Sequence, residues 1–104
     1  MTLFLPHADT DWPKVLSLPD RSAKFRILRD LLDAHGSYLH GWTRWRGDWR
    51  KRISELRRPV SEGGLGVPIV DRWSAIRQGE KEYAIPQEFN REYYDRLIGR
   101  RRSA

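Results

Sequence analysis

The residues best suited to chemistry lie in one stretch, Asp48 to Arg58, which reads Asp-Trp-Arg-Lys-Arg-Ile-Ser-Glu-Leu-Arg-Arg. Their chemistry is the binding of anions. On a helix, Trp49, Ile53 and Leu56 fall within about 60° of one another and form an inward stripe. The opposite face then carries Lys51, Ser54 and Arg58, with Arg50 and Arg57 on one flank and Arg52 on the other. Guanidinium groups pair bidentately with phosphate oxygens and with guanine O6 and N7, while a serine hydroxyl is unselective.

The surrounding charge is concentrated. Between residues 41 and 58, Arg44, Arg46, Arg50, Lys51, Arg52, Arg57 and Arg58 are opposed only by Asp48 and Glu55, in a chain of net charge +6. The tail adds Arg100, Arg101 and Arg102. An excess confined to one helix and one tail points to a directed anionic partner. The plainer reading is a solvated face with no partner.

Covalent chemistry finds no support. His7, His35 and His40 lack an acid partner at a spacing that suggests a triad or a metal site, and no phosphate loop, dinucleotide fingerprint or nucleophile elbow occurs. Asp30 and Asp33, with Glu55, suggest a nuclease cluster only formally, since the two aspartates form the polar face of a helix. The chain has no cysteine, which excludes a disulfide scaffold and any thiolate ligand. The expectation is a protein that is not an enzyme, with no cofactor, metal or small-molecule substrate.

Positioning these residues requires a folded domain. A chain of 104 residues is one domain with one modest core. Five Trp, four Tyr and three Phe argue against disorder despite 33% charged residues. The first residues lack a basic start and a long apolar run, and no segment reaches transmembrane length. The expected location is the cytoplasm.

The elements follow from periodicity. Residues 1–21 form an arm interrupted by Pro6, Pro13 and Pro19, yet apolar enough to pack on the domain. A first helix runs from Ser22 to Ala34, with Asp20 or Ser22 as cap, a stripe of Phe25, Ile27, Leu28, Leu31 and Leu32, and Gly36 beyond its end. A short second helix starts near Ser37 and ends before Gly47. The third is the basic helix, closed by Pro59. Ser61 to Gly66 reads as a flexible connection. Strands are expected over 67–73 and 81–85, joined by a polar loop containing Arg77 and Gln78, and a last helix over 87–99 carries Phe89, Tyr93, Tyr94, Leu97 and Ile98. Trp42 and Trp49 fit core stripes. With Trp73 they raise stacking on unpaired bases as a second possibility, and Trp45, between Arg44 and Arg46, could stack on a base or anchor a protein partner.

The order helix, short helix, basic helix, hairpin resembles the winged helix-turn-helix family. The phrases Arg52 to Arg57, Gly66 to Ile69 and Glu82 to Ile85 are similar to the end of the recognition helix and the two wing strands of small winged-helix proteins from phages and mobile elements. The resemblance spans about Ser22 to Ile85, within an expected winged-helix domain of 22–86. Two features depart from it: a longer connection after the third helix, and two Trp with two Gly between Gly41 and Gly47.

The resemblance implies an α+β fold, mostly α, with three helices, a two-stranded hairpin wing and a C-terminal helix over 87–104 that continues into the basic tail. It implies a regulator or accessory factor binding double-stranded DNA, with helix 48–58 in the major groove. Arg50, Lys51 and Ser54 would face base edges. Arg57, Arg58, Arg44 and Arg46 would meet phosphates, and Arg77, Gln78 and Lys81 of the wing would reach the adjacent backbone. The C-terminal helix could pair two copies. The alternative is a winged-helix interaction module, an adaptor or inhibitor that turns the same basic face to an acidic protein.

Overall fold

The structure, a computed structural model, describes residues 10–99. About half of them are helical. The described residues form five α-helices and a three-stranded antiparallel sheet: α1 (Trp12–Leu16), α2 (Ala23–Asp33), β1 (Leu39–His40), α3 (Gly41–Arg44), α4 (Trp49–Arg57), β2 (Val70–Trp73), β3 (Lys81–Ala84) and α5 (Gln87–Tyr93). A 3-10 turn, Val60–Glu62, follows α4, and α5 continues as a π-helical segment, Tyr94–Gly99.

α2 forms where its stripe demands. The Ser22 hydroxyl accepts a 3.2 Å bond from the Phe25 amide, satisfying one orphan donor of the first turn. Phe25, Ile27, Leu28, Leu31 and Leu32 are all buried. Beyond its end, His35 and Gly36 adopt positive φ (50° and 91°) and reverse the chain. From α5, the buried Asn90 side chain donates to the Leu32 carbonyl, covering one of the helix's open acceptors.

The sheet corrects the expectation of two strands and of a second helix beginning at Ser37. Leu39 and His40 pair with Tyr83 and Glu82, so the order is β1-β3-β2 and α3 starts only at Gly41. β2 pairs with β3 from Val70↔Ala84 to Trp73↔Lys81. Val67, Pro68 and Ile69 are buried but lie outside the ladder, which shortens the first hairpin strand.

The connection after α4 is packed. Amides of Leu65, Val67 and Gly66 donate to the carbonyls of Glu55, Leu56 and Arg58 at 3.2, 2.9 and 3.0 Å. These are acceptors that the helix end leaves open. The ordered connection in turn holds the start of the described chain: Asp11 donates its amide to the Leu65 carbonyl, and the Thr10 hydroxyl donates to that of Gly66. Trp12 stacks 4.5 Å from Tyr93, and Val15 is fully buried.

One core joins these parts. Leu28, Leu31 and Leu32 of α2, Ile53 and Leu56 of α4, Val67, Ile85, Tyr93 and Leu97 meet in it. Tyr93, Leu97 and Ile98 turn the apolar side of the last helix inward, leaving Phe89 and Tyr94 partly buried. No helix among the described residues is long and apolar enough to cross a membrane.

Candidate nucleic-acid interface

α4 lies between two neighbours, and its side chains divide accordingly. Trp49, Ile53 and Leu56 enter the core at 5%, 2% and 0% exposure. The ring of Trp49 fits against α3 because Gly41 has no side chain, since a Cβ there would lie 2.5 Å from the indole. Toward the β2–β3 hairpin, Arg50 reaches Glu80 at 2.5 Å and Arg57 reaches Asp71 at 2.8 Å. Toward α2, Arg52 pairs with Glu55 at 2.7 Å, and Glu55 also meets Lys24 at 3.4 Å. Outward remain Lys51 and Arg58, with Arg58 donating to the Ser54 hydroxyl at 3.3 Å. Lys51 has no ion pair among the described residues.

The hairpin tip folds around Ser74. Its hydroxyl accepts from the amides of Ile76 and Arg77 at 3.1 and 3.0 Å, and its own amide donates to the Glu80 carbonyl. Gly79 supplies the positive φ of 82° that closes the loop. The tip exposes Ile76 (76%), Arg77 and Gln78. The Arg77 guanidinium lies 5.6 Å from the Trp42 ring, so the tip stands beside α3 as well as α4.

One pair in from the hairpin tip is a buried carboxylate, Glu82, 4% exposed. Arg72 bonds one oxygen at 2.8 Å, and His40 Nε2 lies 3.1 Å from the other. The Arg72 hydrogen bond holds this carboxyl below its ordinary value, burial opposes the shift, and the His40 charge assists it. Arg72 also covers the Tyr38 ring at 4.0 Å. This cluster ties β1, β2 and β3 together and fixes the direction of the hairpin.

The sequence-derived set is therefore split. Arg44, Arg46, Lys51, Arg58, Arg77 and Gln78 are exposed. Arg50 is exposed but shared between Glu80 and the Trp49 face, 4.3 Å away. Arg57 turns to the hairpin instead of outward, with Asp71 and the Tyr83 ring as its partners. Lys81 meets Asp71 at 3.7 Å and the Trp73 ring at 4.9 Å. Arg57 thus ties α4 to the hairpin, while the contacts of Lys81 lie within the hairpin itself. Ser54 is half-buried and supports Arg58.

Of the tryptophans that could have stacked, one is buried and one exposed. Trp45 is 8% exposed, and its indole N–H donates to Asp30 at 2.9 Å, so it is a core residue and offers no stacking face. Trp73 is 68% exposed. Sequence reasoning named Trp73 among the candidates for stacking but missed Ile76, whose exposure depends on which side of a short hairpin faces inward. It also missed the acids that hold the arginines, which lie 10 to 30 residues away in the chain. Asp30 and Glu55 have separate partners, and no cluster of metal-binding side chains occurs among the described residues.

In comparisons with known proteins, no family model, no curated protein and no solved structure matches this chain significantly. The reading of this surface therefore rests on its own geometry.

Proposed function

We propose that this chain is a winged-helix protein that binds double-stranded DNA as a regulator or accessory factor and catalyses no reaction on it. In this reading α4 is the recognition helix and the β2–β3 hairpin is the wing. One observation carries it: Lys51 and Arg58 face solvent on α4, while the Arg50–Glu80 pair holds the wing tip, with Arg77 and Gln78, beside the helix's first turn. Helix and wing thus present one cationic surface to one partner. Lys51 and Arg58 would meet base edges or phosphates of the major groove, and Arg44, Arg46 and Arg77 the flanking backbone. Arg50 can exchange Glu80 for a DNA acceptor, since an exposed ion pair is worth only about 0–1 kcal/mol. A single copy offers one such surface. Pairing through the C-terminal helix would have to use Phe89 and Tyr94.

The test is fluorescence anisotropy on a random-sequence duplex over a range of salt. The expected log–log slope corresponds to roughly 3 to 6 phosphates at about −0.9 each. Lys51→Glu should weaken binding by at least tenfold while leaving the circular dichroism spectrum unchanged, because Lys51 is exposed and has no ion pair to lose among the described residues. Absence of binding at low salt would refute the proposal.

Exposed Trp73 and Ile76 favour a second reading, an adaptor or inhibitor that binds an acidic protein. It requires that Trp73→Ala leave duplex affinity untouched and abolish capture of that partner.

A further inference from the structure

On the far side of α4 from the hairpin lies a second cationic feature. Trp45 folds onto α2 through its bond to Asp30 and stacks 5.6 Å from Trp49. Anchoring the loop there sets Arg44 and Arg46 alongside α2. Between them and the helix opens a cleft of about 450 Å³, lined by Arg21, Arg26, Arg29, Arg44 and Arg46 with Asp30 as the single acid. That acid is already engaged by the Trp45 indole.

Among the described residues, none of these five arginines enters an ion pair. Arg50, Arg52, Arg57, Arg72 and Arg96, elsewhere in the molecule, all do. A concave surface that collects unpaired guanidiniums focuses positive potential and attracts anions. Arginine forks match phosphate oxygens bidentately. The cleft offers no platform for bases, because its one aromatic side chain is 8% exposed and its N–H is occupied.

The placement selects the occupant. α4 contacts the hairpin through Arg50 and Arg57, and α2 through Glu55 and Lys24. The outward strip of Lys51 and Arg58 is thus bordered by the wing on one side and, on the other, by α2, the helix that carries Arg26 and Arg29 of the cleft. Resting on the DNA reading, we infer that the cleft clamps the phosphodiester backbone on the side of the major groove opposite the wing, with Arg26 and Arg29 as phosphate ligands. Its contribution is affinity without sequence preference.

Arg26 and Arg29 share the exposed face of α2 and are three residues apart, so both can be replaced without touching the core. Glutamine keeps the helix propensity. The experiment compares the wild-type chain with the Arg26→Gln/Arg29→Gln variant on a 20-base-pair random duplex, by anisotropy at several salt concentrations. Loss of two phosphate contacts should lower the log–log salt slope by about 1.8 and weaken binding at least tenfold. Preference among duplex sequences should stay as it was. A variant that binds with the wild-type slope overturns the inference and leaves the DNA reading standing. A wild-type chain that binds no duplex overturns both, and circular dichroism shows whether the variant is folded.

Discussion

Replacing Gly64 with alanine tests the packed connection that supports α4. The residue is buried and is not among those with positive φ, so backbone conformation does not object to alanine. Space does. A Cβ at Gly64 would lie 2.5 Å from both the carbonyl carbon and the Cβ of Arg58, and closer still to the Arg58 carbonyl oxygen. The obstacle is helix-end backbone, so no side-chain rotation can relieve it. Overpacking of this kind costs about 1–3 kcal/mol. The displaced segment also carries the amide bonds of Gly64, Leu65, Gly66 and Val67 to Pro59, Glu55, Arg58 and Leu56. Losing two of them adds about 2 kcal/mol. The expected cost is about 3–5 kcal/mol, a large share of the roughly 5–15 kcal/mol of a small domain. Gly63 is the control, with a φ of 88° and open space within 4 Å of where an alanine Cβ would stand. Gly63→Ala should cost only about 1–2 kcal/mol, from the left-handed backbone. Urea denaturation followed by tryptophan fluorescence measures both. If Gly64→Ala proves milder than Gly63→Ala, the packing argument is wrong.

Two pH dependences follow from groups whose titration the fold shifts. In the folded chain Glu82 lies below its ordinary 4.5, chiefly through the Arg72 hydrogen bond. For Glu55, burial pushes upward from 4.5 but is outweighed by the Arg52 hydrogen bond and the Lys24 charge. A carboxyl depressed on folding stabilises above its unfolded value and loses that contribution as pH falls through the folded one. The urea midpoint should therefore decline below about pH 4.5, and more gently in Glu82→Gln, measured from pH 3 to 7. At the other extreme, burial pushes the Tyr93 phenol from 10 up to about 12, against its hydrogen bond with Thr10. Raised pKa reverses the sign: stability intact below pH 10 drains away as pH rises toward 12. Tyr93→Phe should flatten that alkaline limb of the denaturation profile, and an unchanged limb would remove Tyr93 from the explanation.

The sequence by itself determined the helices whose signals are local. The Ser22 cap with the Phe25 to Leu32 stripe specified α2, and Trp49, Ile53, Leu56 and Pro59 specified α4 and its end. It also concentrated cations on α4, because charge patterning on a helix is readable at a period of 3.6 residues. Tertiary structure decided the rest. β1 is two residues long, too short to show alternation, and exists because β3 offers it a free edge. The glycine-rich connection looked flexible because the acceptors that order it belong to α4. Which arginines stay free depended on acids far away in the chain: Asp71 took Arg57 and Glu80 took Arg50, while among the described residues Arg26 and Arg29 enter no ion pair. Trp45 and Trp73 are the same residue type in similar basic company, yet one is buried and the other exposed. Asp30 made that choice across 15 residues, a pairing no local period encodes.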